Sequence, residues 1–169
     1  VSPSVLFAPL LLSHTPFKNH AEKYRNSRVL VLGREPQCVD LAKEYGLLKA
    51  VSASGVHNEF QDIYPMKKPQ SVEQHTEPIE AAFVMHDPMD WALEMQILTD
   101  CLLGGNPIGK GKIQTIPLYA CNSDLTYMTT FHRPRYTQGA FVQAFSTLFQ
   151  AYTGTPPRIE YCGKPFEIQ

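Results

Sequence analysis

The chain has 169 residues, of which 43% are hydrophobic and 18% are charged, and its formal net charge is −1. This composition predicts one globular unit with a packed core and excludes intrinsic disorder. No basic stripe suggests a nucleic-acid partner, and the longest apolar stretch, 5–12, is too short to span a membrane.

The spacing of the cysteines indicates reduced thiols. Cys38, Cys101, Cys121 and Cys162 include no CxxC pair, and no histidine stands at zinc-finger spacing. Three of the four lie in apolar runs, which is typical of cysteines in a core. We therefore expect a reducing compartment and no metal ligand in the chain.

Short apolar runs alternate with amphipathic stretches along the chain. The runs predict strands at 29–32, 47–51, 81–85, 116–121 and 159–162, and the stretches predict helices near Pro16 and at 36–46, 91–104 and 138–152. Residues 53–78 are polar, contain three prolines and predict a long loop. The alternation predicts an α/β fold, with a mostly parallel sheet and helices on both faces.

Three of the predicted strands run directly into groups suited to hydrogen bonding or anion binding. These groups are His86, Asp87, Asp90 and Trp91 after the third strand, Asn122 and Asp124 after the fourth, and Lys164 after the last. Ligands of parallel sheets bind at the carboxyl ends of the strands, so these ends are the candidate site. A lysine that follows a buried strand, between a glycine and a proline, indicates an anion partner.

Purely structural roles are open for the same residues. Asp87 and Asp90 suit the start and first turn of a helix, and Trp91 suits a core position. Asn122 is favoured as part of a turn that holds the loop after its strand. The glycine, lysine and proline at 163–165 are also common in surface turns.

Six segments of the chain match one known family in order. They are SHTPF at 13–17, VLVLG at 29–33, AKEYG at 42–46, AFVMHDPMDWAL at 82–93, PLYACNSD at 117–124 and YCGKPF at 161–166. With these segments the chain resembles class IIA members of the haloacid dehalogenase superfamily, and within them the cat eye syndrome critical region protein 5 family.

The resemblance implies a cap domain over 1–158 and the start of a returning Rossmann-like core over 159–169. It implies a phosphatase that uses Mg²⁺ and an aspartyl-phosphate to hydrolyse a small phosphorylated substrate. Lys164 would be the catalytic lysine that neutralises charge during phosphoryl transfer. The polar residues that follow the third and fourth strands would contact the substrate.

The resemblance also implies cellular and assembly properties. Relatives are commonly placed in mitochondria and connected with glycerophospholipid synthesis. They often form homodimers through their caps, so a homodimer is expected here.

The sequence departs from the family pattern in its catalytic motifs. No DxD segment occurs in it, and no GDxxxxD-like Mg²⁺ site follows Lys164. We therefore expect this segment to be inactive alone and to serve as the lid and specificity element of a longer hydrolase. The alternatives are a non-catalytic dimerisation or ligand-binding module derived from the cap, and an α/β protein without phosphate chemistry.

Overall fold

Five parallel strands form the sheet on which this protein is built, in a computed structural model that describes residues 14–74 and 77–162. The helices are α1 Ala21–Tyr24, α2 Gln37–Glu44, α3 Ala53–Glu59, α4 Trp91–Leu103 and α5 Gln138–Thr153, with 3₁₀ turns at Thr15–His20 and Gln61–Ile63. The strands are β1 Arg28–Leu32, β2 Lys49–Val51, β3 Ile79–Val84, β4 Leu118–Ala120, β5 Thr126–Tyr127, β6 Arg135–Tyr136 and β7 Ile159–Tyr161.

The order of the strands in the sheet is β2-β1-β3-β4-β7, and each neighbouring pair is parallel. All five residues of β1 are buried, because this strand lies inside the sheet and is covered on both faces. The predicted α/β fold with a parallel sheet is therefore confirmed. The proposed domain boundary after residue 158 stays a prediction, and β7 pairs with β4 within this same sheet.

Helices cover both faces of the sheet, as predicted. Leu30 and Leu32 point to one face and pack with buried residues of α3, α4 and α5. Val29 and Val31 point to the other face and pack with residues of the first 3₁₀ turn, α1 and α2. This alternation follows from the two-residue repeat of a strand.

The two long helices have well-defined ends. Asp90 caps α4 by accepting a hydrogen bond from the N–H of Leu93 at 3.3 Å, and Gly104 follows the last turn. Thr137 caps α5, and Gly154 ends it in the left-handed conformation. Phe141, Phe145 and Phe149 of α5 are buried, whereas Leu148 is 58% exposed.

Two elements lie where the sequence predicted none. Helix α3 begins inside the predicted loop 53–78, where the Ser52 side chain caps it and Val56 is fully buried. The short antiparallel pair β5–β6 follows β4 and was also missed. The predicted helix near Pro16 is a 3₁₀ turn.

Two further properties concern the described residues. Among 14–74 and 77–162, no helix combines the length and apolarity that crossing a membrane requires. All four cysteines lie in these ranges, and each is a free thiol.

Candidate functional site

The candidate site lies at the carboxyl edge of the sheet, where β1, β3 and β4 end side by side. His86 follows β3 and Asn122 follows β4, so the structure places two of the three predicted groups at the ends of neighbouring strands. Lys164, the predicted catalytic lysine, lies outside the described residues.

His86 is held against the end of β1. Its N–H donates to the carbonyl of Leu32 at 3.3 Å. A Cβ atom on Gly33 would lie 2.6 Å from the Cβ of His86, so a glycine is needed for this close approach. Burial lowers the pKa of His86, the Asp87 carboxylate raises it by a smaller amount, and Arg34 lowers it by less still. The net result is a pKa below the usual value of 6.5.

His14 lies beside His86, although sequence reasoning did not place it in the site. The two imidazole rings are 5.0 Å apart at their centroids, and His14 Nδ1 is 2.7 Å from the hydroxyl of Tyr45. Burial, and then the neighbouring His86 and Lys18, lower the pKa of His14. The SHTPF segment contains His14, but only the fold reveals that it meets the residue after β3.

Asp87 connects the end of β3 to the start of α5. Its Oδ1 atom accepts a hydrogen bond from the backbone N–H of Gln138 at 2.7 Å. This arrangement places a carboxylate at the positive end of a 16-residue helix. Asp87 therefore has a structural partner, and its contact with substrate stays a prediction.

Asp90 also has structural partners. Besides capping α4, it carries a carboxylate oxygen 3.6 Å from Nζ of Lys67, in an ion pair between half-exposed side chains. Its backbone N–H donates to Oε2 of Glu94 at 2.9 Å. Asp90 therefore has structural partners at the start of α4, and its contact with substrate stays a prediction.

Glu94 is a buried carboxylate that sequence reasoning missed. Only 3% of this residue is exposed, and its Oε1 accepts the N–H of Gly33 at 3.0 Å. Burial raises the pKa of Glu94 to about 7, even though backbone N–H donors act in the opposite direction. A charged residue on the apolar face of α4, four positions after Asp90, was the sequence signal that could have found it.

Trp91 packs mainly within the protein. Its indole N–H donates to the carbonyl of Pro88 at 2.9 Å, and its ring meets Phe141 edge-to-face at 5.5 Å. Trp91 is half-buried against the core that includes α4 and α5. These contacts favour the structural role that the sequence left open.

Asn122 and Asp124 hold the chain after β4. Asn122 Oδ1 accepts the N–H of Asp124 at 2.8 Å, which is the turn favoured from the sequence. The backbone carbonyl of Asp124 accepts the hydroxyl of Thr137, the cap of α5. Gly139 allows this approach, since a Cβ there would collide with the Asp124 carbonyl.

Three potential metal ligands converge beside β7, although the sequence predicted no metal ligand. They are the side chains of His20, Glu160 and Cys162. Mg²⁺ prefers oxygen ligands, so a set that includes imidazole and thiol does not fit the Mg²⁺ site that the resemblance implies.

Two clefts of the described surface lie at the opposite, amino edge of the sheet. One, of about 330 Å³, is bounded by Gln114–Leu118 and Arg158–Glu160, and the other, of about 570 Å³, includes Arg28 and Lys49. Neither holds the predicted site residues. We favour the carboxyl edge because the strand-end side chains and the first turns of α4 and α5 meet there.

The chain is similar in sequence to two curated proteins. It is 29% identical over 175 residues to a mitochondrial hydrolase of Saccharomyces cerevisiae, with 94% of this chain and 49% of that protein covered. It is 29% identical over 169 residues to a cardiolipin synthase (CMP-forming) and mitochondrial hydrolase fusion protein of Schizosaccharomyces pombe, with 92% and 28% covered. The chain thus spans about half the length of the first relative and less of the second. No protein-family model matches it.

The fold is also found in a solved structure. A possible sugar phosphatase of the HAD superfamily from Cytophaga hutchinsonii superposes with a TM-score of 0.53 and 17% identity, over 88% of this chain and 43% of that one. At this identity the likeness shows the fold. The chain is therefore similar in sequence to proteins named mitochondrial hydrolases, and similar in fold to a possible sugar phosphatase of the HAD superfamily.

Proposed function

We propose that this chain is the cap of a class IIA haloacid dehalogenase-like hydrolase. In this proposal the full-length protein is a Mg²⁺-dependent phosphatase that acts on a small phosphomonoester through an aspartyl-phosphate. The observation that carries the proposal is the match to a hydrolase along 94% of this chain but only 49% of the relative. Such a match is expected when one of two domains is compared with the whole enzyme.

The side chains at the carboxyl edge of the sheet support a role in substrate recognition. Burial lowers the pKa of both His14 and His86, so their imidazoles are neutral at pH 7. A neutral imidazole donates one hydrogen bond and accepts another, which suits a hydroxyl or phosphate oxygen of a substrate. The hydrogen bond to Leu32 holds the backbone of His86, and the His86 ring packs against that of His14, which restricts its orientation before a ligand arrives.

The chemistry of the proposed reaction is divided between this chain and the rest of the enzyme. The nucleophile and the oxygen ligands for Mg²⁺ would come from outside this sequence, which has no DxD segment. Lys164 would stabilise the negative charge shared by phosphate and nucleophile. Accordingly, this segment alone would be inactive and would act as the lid.

The names of the relatives support a cellular setting. One is called a mitochondrial hydrolase, and the other a fusion with cardiolipin synthase. We propose that the full-length protein is mitochondrial and acts close to glycerophospholipid synthesis. Subcellular fractionation of the endogenous protein tests this, and recovery outside mitochondria would contradict it.

A dimerisation module is a second candidate, favoured by an apolar surface around β5 and β6. Leu125, Tyr127, Met128, Phe131 and Tyr136 are between 47% and 74% exposed. Sedimentation of the full-length protein should show a dimer that Met128→Asp dissociates. Leu148→Asp on α5 is the matched control, because Leu148 is similarly exposed but lies elsewhere. A monomeric wild type would remove this candidate.

The enzymatic proposal is tested with the full-length protein, Mg²⁺ and a panel of phosphomonoesters. Lys164→Ala should abolish turnover and leave the circular dichroism spectrum unchanged, whereas Lys112→Ala, at an exposed loop position, should remain active. His86→Ala should raise KM more than it lowers kcat, because it would remove a contact made to bound substrate. Normal turnover by Lys164→Ala would overturn the role of the lysine.

A further inference from the structure

A histidine and a cysteine from opposite ends of the described chain meet beside the edge strand β7. His20 Nε2 lies 3.3 Å from Sγ of Cys162. One carboxylate oxygen of Glu160 completes the group, and the three ligand atoms all lie within 4.8 Å of one another. We call these three residues the β7 cluster.

The fold positions the β7 cluster without help from a ligand. Glu160 and Cys162 are two positions apart on and just after β7, so their side chains leave the same face of the sheet. His20 is the last residue of the first 3₁₀ turn. Its ring packs 4.2 Å from the ring of Tyr119 and 5.9 Å from that of Phe83, which restricts its orientation.

We propose that His20, Glu160 and Cys162 form a binding site for Zn²⁺. The set of one nitrogen, one sulfur and one oxygen ligand suits zinc, whereas Mg²⁺ and Ca²⁺ prefer oxygen alone. Tetrahedral bonds to imidazole and thiolate imply a separation of about 3.5 Å between nitrogen and sulfur. The observed 3.3 Å therefore requires little movement of His20 and Cys162, and the Glu160 carboxylate, within 4.8 Å of both, would move in to complete the site. Water can fill a fourth position, as at other zinc sites with three protein ligands.

The protonation state of His20 favours metal binding, whereas that of Cys162 opposes it. Burial is the main effect on His20 and lowers its pKa, so its ring is neutral and keeps a lone pair for a metal. Burial, and then the Glu160 carboxylate, raise the pKa of Cys162 to about 11. Zinc must therefore displace the thiol proton, and binding releases it to solvent.

A hydrogen bond between His20 and Cys162 is the simpler explanation of their contact. It accounts for the 3.3 Å distance but gives the nearby Glu160 oxygen no role in the cluster. A metal-binding experiment separates the two explanations, because a pair held only by a hydrogen bond would not bind one equivalent of zinc.

The experiment uses the full-length protein, freed of metal by a chelator and titrated with Zn²⁺ in excess Mg²⁺. One equivalent of Zn²⁺ should bind per chain in competition with a chromophoric chelator. Replacement by Co²⁺ should produce a sulfur-to-cobalt charge-transfer band. Cys162→Ser should remove that band, and His20→Ala should weaken Zn²⁺ binding by at least about tenfold.

Matched variants control for charge and for other thiols. Glu22→Gln removes an exposed carboxylate close to His20 in sequence and should bind Zn²⁺ normally, whereas Glu160→Gln should bind it more weakly. Cys38→Ser should retain the cobalt band, since Cys38 is not one of the three residues of the β7 cluster. Circular dichroism establishes that each variant is folded.

Thermal unfolding gives an independent readout. A ligand that binds the native state raises Tm, so Zn²⁺ should raise Tm of the wild type and of Glu22→Gln but not of Cys162→Ser. Absence of a stoichiometric zinc site, or a sulfur-to-cobalt band that persists in Cys162→Ser, would overturn the proposal. Phosphatase activity with Mg²⁺ is measured separately, so either proposal can fail without the other.

Discussion

Glu94 on α4 accepts a hydrogen bond from the backbone N–H of Gly33, at the end of β1, over 3.0 Å. Its other carboxylate oxygen accepts the N–H of Asp90 at 2.9 Å. One buried side chain thus joins the end of a strand to the beginning of a helix that covers the sheet. Because these groups border His86, the carboxylate helps to fix the geometry of the candidate site.

The protonation of Glu94 predicts how stability depends on pH. Burial raises its pKa from 4.5 to about 7, so the folded state holds this proton more tightly than the unfolded state. The stabilisation of the folded state by this proton is present in full below pH 4.5 and is lost as pH rises to about 7. The shift corresponds to a decrease of about 3 kcal/mol in the free energy of unfolding. Urea unfolding across this range measures it.

Glu94→Gln should remove this pH dependence, because an amide does not titrate. The variant should be less stable at low pH, since its NH₂ group faces a backbone N–H in place of an acceptor. Glu44→Gln, at an exposed position on α2, should follow the wild-type profile. Identical pH profiles for wild type and Glu94→Gln would show that Glu94 has an ordinary pKa.

Gly33 should tolerate no side chain. Its φ of +138° disfavours other residues, and a Cβ would lie 2.6 Å from the Cβ of His86. Gly154→Ala is the matched control, since Gly154 has a φ of +83° but no atom within 4 Å of a Cβ. We expect Gly154→Ala to cost about 1 kcal/mol and Gly33→Ala about 3 kcal/mol or more. Equal losses in chemical denaturation would contradict the crowding at His86.

Asp87 allows a structural role to be separated from a role in binding. Asp87→Ala should lower the free energy of unfolding by about 1–2 kcal/mol, because the N–H of Gln138 loses its acceptor. Asp87→Asn retains an oxygen that can accept this bond and should lose less. If Asp87 also contacts substrate, Asp87→Asn should raise KM of the full-length enzyme. An unchanged KM would leave Asp87 with its role at α5 alone.

Arg28 and Glu59 form a buried ion pair at the amino edge of the sheet. Their side chains are 7% and 2% exposed, and Arg28 also donates to the carbonyl of Glu77 at 3.2 Å. Glu59→Ala should destabilise the fold by about 3–5 kcal/mol, because it leaves a guanidinium buried without its carboxylate. The double variant Arg28→Met, Glu59→Leu should lose much less. Urea unfolding measures both losses. A greater loss in the double variant than in Glu59→Ala would contradict this explanation.

Most of the sheet could be predicted from the sequence because its strands are buried on both faces. Such strands read as unbroken apolar runs, and β1 is the clearest case. Helix α4 was predictable from Asp90 and Gly104 at its ends. Helix α3 could not be predicted, because it has only two well-buried apolar side chains, Ala53 and Val56, and Gly55 and polar residues lie beside them. The pair β5–β6 has two exposed residues per strand and so no apolar alternation.

The candidate site was predictable where residues follow strands and was missed where distant segments meet. His86 and Asn122 could be placed at one edge from the rule for parallel sheets. His14 could not, because its contacts with Tyr45 and His86 depend on how the first 3₁₀ turn packs. Glu94 was missed because its partners are backbone N–H groups, which a sequence does not mark, so its place on the apolar face of α4 was the one signal available.

The parallel arrangement of the five sheet strands has a consequence for the rate of folding. Parallel neighbours require a crossover connection, so pairing of β1 with β3, or of β4 with β7, closes a long segment of chain. Closing such segments has an entropic cost before the contacts form, and proteins rich in distant contacts fold slowly. We therefore expect this chain to fold more slowly than a helical bundle of equal length. During synthesis the sheet can be completed only after Tyr161 has left the ribosome.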